Sequence, residues 1–170
     1  MPRTLLLMRH AKSSWKQGDI PDHDRPLKRR GRRDARAVGR ALQRLHLVPD
    51  LILTSTATRA HRTARRVAKE LTPRPPIVEE RRLYTGAPGD YLRAIQQLSS
   101  EVCTVLLVGH NPAISDLGTL IADHRVYLTT ADVAEITLPV DQWPDYRVDR
   151  HAGHVVRVLH SKELRRPAKT

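Results

Sequence analysis

Two short apolar runs, each ending in a histidine, are the strongest pattern in the chain. The run at residues 4–8 is followed by Arg9 and His10, and the run at 105–108 leads through a glycine to His110. Such runs, bounded by polar residues, predict buried strands, and strands covered on both faces are typical of parallel sheets. Ligands of open α/β sheets bind beyond the carboxyl ends of the strands. If the two strands are parallel, both histidines reach the same crevice.

Amphipathic helices and further short strands alternate along the rest of the chain. Apolar residues at steps of three and four predict a helix over 32–47 with its buried side at Ala35, Val38, Leu42 and Leu45. Three more helices are predicted from Ala60, from Pro88 and after Pro112. Further strands are expected at 51–54, 77–78, 102–108, 133–138 (half-exposed, because apolar and polar residues alternate) and 156–159.

This order, β-α-β-α-β-α-β-α-β-β, predicts an α/β fold with helices on both faces of the sheet. We expect a three-layer α/β/α sandwich with a mostly parallel sheet. No internal repeat or interdomain linker interrupts the pattern, so one domain is expected over residues 1–164, followed by a flexible C-terminal tail at 165–170.

Two helix starts carry polar residues that bear on chemistry. The second helix can be capped by Ser55, Thr56 or Thr58. Arg59 then lies in the first turn, where the helix dipole disfavours a cation and a bound anion would relieve the conflict. An arginine that runs along the helix to solvent explains the position equally well. Farther along, Asn111 and Pro112 predict an N-cap and a first-turn proline.

The chain is strongly basic, with 30 Lys and Arg against 18 Asp and Glu and a formal net charge of +12. This excess favours anionic partners, although much of it lies on the helix at 32–47, where a solvated basic face is the simple explanation. Aromatic residues are only 4% and Phe is absent. Proteins that bind single-stranded nucleic acid use aromatic stacking platforms, so the composition argues against a nucleic-acid partner.

The sequence also indicates a cellular setting. No stretch approaches 18 consecutive apolar residues, and the first apolar run is too short for the core of a signal peptide. We therefore expect a cytoplasmic protein with no membrane partner. The lone Cys103 excludes an internal disulfide, and its apolar surroundings predict a small core residue.

Three segments are predicted to meet at one rim of the sheet, and their residue types suit phosphate chemistry. Arg9 and Arg59 suit a phosphoryl group because planar guanidinium groups bond oxygen pairs and keep their charge. A neutral imidazole can attack phosphorus. A second histidine, if protonated, can stabilise the charge on the equatorial oxygens. His10 and His110 are therefore candidates for these two roles.

Known metal and nucleotide motifs are missing from the sequence, which contains no GxxxxGK[ST], HExxH or CxxC pattern. The triplet at residues 22–24, Asp-His-Asp, could suggest a metal site. No second cluster of ligands follows at useful spacing, so turn capping or pairing with nearby arginines is the preferred interpretation. The sequence thus predicts a phosphoryl-transfer site without metal or other cofactor.

Residues 7–13, Leu-Met-Arg-His-Ala-Lys-Ser, resemble the signature of the histidine phosphatase superfamily, which has the phosphoglycerate mutase-like fold. The usual signature is Arg-His-Gly, and Ala11 replaces the glycine here. Arg-His-Ala followed by Lys and Ser is similar to the SixA-type phosphohistidine phosphatase branch. Further segments match that branch in the same order, at 24–27 with Gly31, 55–64, 83–84 and 108–112.

The resemblance implies a hydrolase that works through a phosphohistidine intermediate on His10. Arg9, Arg59 and His110 would bind the phosphoryl group, and Ser13 matches a small hydroxyl residue that would touch it. Water would then hydrolyse the intermediate. The resemblance implies no metal or other cofactor.

The resemblance does not supply a clear general acid. Phosphomonoesterases of the superfamily protonate an alkoxide leaving group with a carboxylic acid, commonly a Glu after the third strand. Glu79 and Glu80 lie near that place, but Arg81 and Arg82 favour ionised carboxylates. Glu80 is thus a weak candidate, and solvated charges are the better interpretation.

A site without an acid should favour an N–P bond, because imidazole, with a pKa of roughly 6.5, leaves more easily than an alkoxide. Three hypotheses stand side by side. The first is a phosphohistidine phosphatase whose partner is a phosphohistidine-bearing protein. The second is the same fold acting on a small phosphomonoester, which would need a carboxylate, Glu80 first. The third is a non-catalytic phosphate-binding or nucleic-acid-binding module, which the joint presence of His10, Arg9, Arg59 and His110 disfavours.

Overall fold

The protein folds as a central sheet between two layers of helices, in a computed structural model that describes residues 1–16 and 18–165. The elements are β1 (Arg3–Arg9), α1 (Arg29–Arg44), β2 (Leu51–Thr54), α2 (Thr58–Lys69), β3 (Ile77–Glu79), α3 (Arg82–Thr85), α4 (Pro88–Gln96), β4 (Thr104–Gly109), α5 (Ala113–Ala122), β5 (Val133–Leu138), β6 (His154–Leu159) and α6 (Ser161–Leu164). The predicted α/β/α sandwich is confirmed. Over these described ranges, none of the helices has the length and apolar character needed to cross a membrane.

The sheet has the strand order β3-β2-β4-β1-β5-β6. Strands β3, β2, β4 and β1 are parallel, whereas β5 is antiparallel to both of its neighbours. From β1 the chain continues to β2 and β3 on one side of the sheet, and from β4 it continues to β5 on the other side. A ligand crevice forms at the point where the strand order reverses in this way. Arg9 pairs with Gly109 in the register of β1 and β4. His10 and His110 therefore leave the sheet side by side, as the sequence predicted.

The apolar runs of the central strands are explained by burial on both faces. Leu5 and Leu7 pack in the layer of α4 and α5, whereas Leu6 and Met8 pack in the layer of α1 and α2. All four side chains are fully buried. Each such burial contributes about 1.5–3 kcal/mol of transfer free energy, so this strand is a fixed support for the residues that follow it.

Helix α1 is displaced from its predicted range of 32–47, since it begins at Arg29 and ends at Arg44. Its predicted apolar positions are buried up to Leu42, but Leu45 is 37% exposed because it lies just beyond the last turn. Near the start of the helix, Gly31 lies against the backbone of Lys12. A Cβ at Gly31 would be 2.2 Å from the Lys12 carbonyl oxygen, so α1 packs directly on the segment that leaves β1.

Two expectations about burial are wrong. Strand β5 is almost completely buried instead of half-exposed, because Ala134 and Ile136 pack in the layer of α4 and α5 while Val133 packs in the layer of α1 and α2. Its polar member Glu135 is 8% exposed and forms an ion pair with Arg157, Oε2 to Nε 2.7 Å. Cys103 is exposed and is not a core residue. It precedes β4, and its sulfur accepts a hydrogen bond from Nη1 of Arg3 at 3.1 Å.

Both predicted side-chain caps are also wrong. The N-cap of α2 is Ala57 and that of α5 is Pro112, and neither helix has a side-chain cap. Distant partners engage the polar side chains instead. The Ser55 hydroxyl bonds to His110, and the Asn111 amide donates to the Leu128 carbonyl. Tertiary contacts at the sheet edge thus override local capping.

The end of the chain is only partly described. Residues 166–170 of the expected tail lie outside the described residues. Arg165, the first tail residue, forms an ion pair with the buried Asp34 of α1, Nε to Oδ1 2.6 Å. One domain over residues 1–164 stays a prediction.

Candidate active site

A cavity of about 310 Å³ opens beyond the carboxyl ends of β1 and β4. Its lining includes the five residues proposed from the sequence for phosphate chemistry: Arg9, His10, Ser13, Arg59 and His110. Glu80, the weak candidate for a general acid, does not line the cavity. The fold therefore brings together segments that are far apart in the sequence, which is what a common ligand requires.

His10 is held in one tautomer. Its Nδ1 lies 2.8 Å from the Ala11 carbonyl oxygen, and because a carbonyl only accepts, Nδ1 carries the proton. Burial lowers the pKa of His10 to about 3, with the neighbouring His110, Arg59 and Arg9 adding to the effect. The ring is therefore neutral at neutral pH, and Nε2 keeps a lone pair. This is the form of histidine that can act as a nucleophile.

Two guanidinium groups flank the histidines, that of Arg59 buried and that of Arg9 partly buried. Arg59 is 6% exposed, and it donates to the Asp22 carbonyl oxygen at 2.7 Å and to Oδ2 of Asp22 at 3.1 Å. It does not run along the helix to solvent. Arg9 makes one long bond to the Leu128 carbonyl, at 3.5 Å. The Nε atoms of Arg9 and Arg59 are buried without a partner among the described residues. Since unpaired buried donors are costly, an anion would stabilise both.

His110 faces His10 with ring centroids 5.1 Å apart. Its Nε2 lies 2.8 Å from the Ser55 hydroxyl, and its buried Nδ1 has no partner among the described residues. Burial, helped by the nearby Arg59, lowers the pKa of His110 to about 4. The ring is therefore neutral at neutral pH, and a protonated His110 would require the negative charge of a ligand to raise its pKa.

Asp22 organises the cationic side of the pocket. Its Oδ1 accepts from Nε of Arg25 at 3.0 Å, and its Oδ2 accepts from Arg59 at 3.1 Å and from the Tyr84 hydroxyl at 2.8 Å. Partial burial favours the protonated acid, but the hydrogen bonds from Tyr84, Arg25 and Arg59 lower the pKa of Asp22 to about 2. The expected pairing of the Asp-His-Asp triplet with arginines is confirmed. Among the described residues, no group of three His, Cys, Asp or Glu side chains could hold a metal ion.

Ser13 lines the cavity beside Arg25. Its hydroxyl accepts a hydrogen bond from Nη1 of Arg25 at 2.8 Å, and both residues are buried. Ser13 therefore positions Arg25. Trp15, two residues farther on, covers the other side of that guanidinium, with its ring centroid 3.5 Å from the guanidinium carbon.

Sequence reasoning did not place in the pocket several residues that shape it: Asp22, Arg25, Ser55 and Tyr84. Asp22 and Arg25 belong to a punctuated loop, and Tyr84 belongs to a segment noted only for its resemblance to the SixA-type branch. Their partners are long-range contacts, which no local pattern encodes. The signal that could have pointed to the pocket was the presence of the Asp-Arg-Pro-Leu segment at 24–27 and the Leu-Tyr segment at 83–84 together with the two histidine motifs.

Glu80 is committed elsewhere. Its carboxylate accepts from Nε of Arg82 at 3.0 Å and from Nη2 at 2.9 Å, and also from the backbone N–H of Arg82. These bonds lower the pKa of Glu80. An ionised carboxylate held by its own neighbour has no proton to give, so the geometry offers no support for Glu80 as a general acid.

Comparison with known proteins identifies the family. The histidine phosphatase superfamily (branch 1) matches residues 5–91, a segment that includes Arg9, His10 and Arg59. The chain belongs to the histidine phosphatase superfamily. The activity that this membership supports is that of a phosphatase.

The sequence relatives of this superfamily member include two uncharacterized proteins that match most of the chain. An uncharacterized protein of Mycobacterium tuberculosis is 39% identical over 147 residues, which cover 86% of this chain and 89% of that protein. An uncharacterized chloroplastic protein of Arabidopsis thaliana is 28% identical over 152 residues, which cover 84% of this chain and 70% of that protein.

Solved structures place the chain near the SixA branch. A protein from Nakamurella multipartitia assigned as a phosphohistidine phosphatase SixA superposes with a TM-score of 0.79 at 28% identity, over 94% of this chain and 96% of that chain. The protein histidine phosphatase SixA in complex with tungstate has the same fold, with a TM-score of 0.79 at 21% identity over 95% and 99% of the two chains. The resemblance to SixA and the phosphoglycerate mutase-like fold are thereby confirmed.

Proposed function

We propose that this superfamily member is a phosphatase that forms a phosphohistidine on His10 and removes phosphate from phosphohistidine on a protein. The observation that carries the proposal is the state of His10, whose Nδ1–H is fixed by the Ala11 carbonyl while Nε2 stays unprotonated. This nucleophile shares a cavity with Arg9 and Arg59. SixA-like structural neighbours support the choice of substrate.

In the first step, the phosphoryl group lies between the two guanidinium groups, which bind its oxygens. Nε2 of His10 attacks phosphorus, and the bond from phosphorus to the substrate nitrogen breaks with its electron pair going to that nitrogen. The substrate ring, which carries a proton on its other nitrogen, leaves as neutral imidazole. The attacking ring gains positive charge, which the bond from Nδ1–H to the Ala11 carbonyl stabilises. The negative charge of the phosphoryl group raises the pKa of His110 and favours a second cationic donor.

In the second step, water attacks the phosphorus of phosphorylated His10. The P–N bond breaks, its electron pair returns to Nε2, and both hydrogens of the water leave with inorganic phosphate as dihydrogen phosphate. Neutral His10 is restored for the next turnover. These steps use only the side chains of the cavity and water, so the proposed reaction includes no metal or organic cofactor.

The choice of an N–P bond follows from the acids at the site. Asp22 is the carboxylate among the described lining residues, and its arginine and tyrosine partners hold it ionised. An alkoxide would therefore have to leave this pocket without being protonated. Where a general acid is needed, its absence lowers the rate by ~10²–10⁴-fold. Imidazole leaves as a much weaker base, so phosphohistidine suits this pocket better than an alkyl phosphate.

The test is paired turnover on a chemically phosphorylated histidine peptide and on 4-nitrophenyl phosphate, with and without EDTA, for wild type and His10→Ala. The proposal expects faster loss of phosphohistidine than of the ester, no effect of EDTA and no turnover by the variant. Faster ester hydrolysis would favour a small-molecule phosphomonoesterase. Phosphate binding without His10-dependent turnover of either substrate would favour a non-catalytic module.

The cytoplasmic location expected from the sequence stays a prediction.

A further inference from the structure

A strongly basic groove lies beside the active site. It is bounded by residues 14–16 and the start of α1, and it has a volume of about 520 Å³. Its charged lining, which we call the basic groove, consists of Lys16, Lys28, Arg29, Arg30 and Arg32. No acidic side chain belongs to this lining among the described residues.

The groove and the active site share one wall. Residues 12–14 pair with residues 26–28 in a short antiparallel ladder, with Ser13 opposite Leu27 and the Ser14 N–H bonded to the Pro26 carbonyl at 2.9 Å. Successive side chains of an extended segment point to opposite faces. Accordingly, Ser13 and Trp15 line the active-site cavity, whereas Ser14 and Lys16 line the basic groove.

Most of the charge in the groove is not neutralised within the described part of the chain. Lys16, Lys28 and Arg29 are exposed and form no ion pair there, and Arg30 lies 4.0 Å from Oδ2 of Asp34. Arg32 donates to the Leu27 carbonyl, which carries no charge. Like charges gathered in one concave surface attract anions to it.

Trp15 adds an apolar contact at the boundary between the two cavities. It is 71% exposed, although its ring is fixed on the Arg25 guanidinium at 3.5 Å. Arg25 is itself held by Asp22 and Ser13, so the platform is rigid. Exposed aromatic and arginine side chains held in place are typical of protein-binding surfaces.

We propose that the basic groove and Trp15 dock an acidic segment of the phosphoprotein whose phosphohistidine enters the active site. This inference rests on the proposed function and specifies its substrate as histidine flanked by acidic residues. A polypeptide fits better than nucleic acid, because single-strand binding uses successive aromatic platforms and Trp15 stands alone beside this groove among its described lining.

The experiment compares two synthetic peptides that are chemically phosphorylated on a single histidine, one flanked by glutamates and one by glutamines. At low salt we expect wild type to have a kcat/KM about tenfold higher for the glutamate peptide, mainly through KM. Higher salt and the double variant Lys28→Glu/Arg29→Glu should both remove this preference. The variant should keep wild-type turnover of 4-nitrophenyl phosphate. Its Tm should not fall, since glutamates suit the start of a helix.

The matched control is Arg44→Glu/Arg74→Glu, which makes the same change of charge at exposed positions outside the groove. This variant should retain the preference. An equal loss in both variants, or no preference in wild type, would overturn the docking surface, because net charge alone or no charge effect would then explain the data.

A second readout does not depend on turnover. Trp143 is fully buried, so the unphosphorylated glutamate peptide should shift the fluorescence of Trp15 in wild type and not in Lys28→Glu/Arg29→Glu. Groove-dependent binding without hydrolysis of either peptide would overturn the proposed function and support the docking surface. A shift with a thymidine oligonucleotide and none with the peptide would overturn the docking of an acidic polypeptide.

Discussion

At the scale of single residues, the chemistry depends on two buried imidazoles that the fold keeps neutral. One backbone carbonyl selects the tautomer of His10, and Ser55 holds the ring of His110. Both rings lie beside guanidinium groups, so burial and like charge both oppose the addition of a second proton to either ring. The arginines thus make the cavity cationic, while Nε2 of His10 keeps its lone pair.

This state makes stability depend on pH. The unfolded histidines bind protons near pH 6.5, whereas the pKa is lowered to about 3 for folded His10 and to about 4 for folded His110. Between these values the unfolded chain binds more protons, so stability is full above pH 6.5 and is lost as pH falls toward 4. Each histidine should cost about 1.4 kcal/mol of unfolding free energy per pH unit in that window.

Urea unfolding of wild type, His10→Gln and His124→Gln from pH 7 to pH 5 measures this effect. His10→Gln should show a shallower loss of stability than wild type, and the exposed control His124→Gln should follow wild type. An unchanged slope in His10→Gln would contradict a buried neutral His10.

Glu80→Gln tests the remaining candidate acid. Because Glu80 lies outside the cavity and is bonded to Arg82, we expect kcat/KM for glycerol 2-phosphate, an ester whose alkoxide leaving group needs a proton, to stay within about twofold of wild type. Removal of a working general acid would lower it by ~10²–10⁴-fold. Tm serves as the control, since loss of the bond to Arg82 should lower it only slightly. A ~10²–10⁴-fold fall in kcat/KM without a large fall in Tm would place Glu80 in the reaction.

At the scale of elements, the close contact of α1 with the segment after β1 couples packing to the site. An alanine at Gly31 would overlap the Lys12 carbonyl, since its Cβ would lie 2.2 Å away. Helix propensity gains up to about 1 kcal/mol, but overpacking costs about 1–3 kcal/mol. We therefore expect Gly31→Ala to lower both Tm and kcat/KM, because Lys12 closely follows His10.

The matched control is Gly89→Ala in α4, where the nearest atom to a new Cβ is Nη1 of Arg93 at 3.6 Å, an ordinary contact. Its Tm should stay the same or rise slightly, with activity unchanged. A Gly31→Ala protein as stable and active as Gly89→Ala would show that the close contact is not tight in solution.

The elements also show how far the sequence could predict this protein. The apolar runs before His10 and His110 predicted two buried parallel strands, since burial on both faces leaves a continuous pattern. The crevice followed from strand direction alone. Ser55, Asn111 and Cys103 were misplaced, because hydroxyl, amide and thiol groups take whichever partner the tertiary fold supplies. Asp22 likewise gained its role only from Arg25, Arg59 and Tyr84, which the fold brings to it.

At the scale of the whole molecule, the positive charge that the chain carries in excess gathers at the edge of the sheet where the parallel strands end. Of the basic residues behind the formal net charge of +12, Arg59 (buried) and Arg9 (partly buried) lie inside the cavity, and the basic groove lies beside it. The inner arginines suit a phosphoryl group, and the outer groove suits an acidic carrier of that group. Positive charge would thus serve catalysis inside the cavity and substrate recognition in the basic groove outside it.

The central claim is the covalent phosphohistidine on His10, and the most direct measurement is to trap it. Wild type is mixed with a ³²P-labelled histidine phosphopeptide, quenched in alkali within the first turnover and mapped by peptide mass spectrometry. We expect alkali-stable, acid-labile phosphate on the peptide that contains His10, and none in His10→Ala. Label on another residue, or a wild-type burst of free phosphate with no phosphoenzyme at any time, would contradict the account.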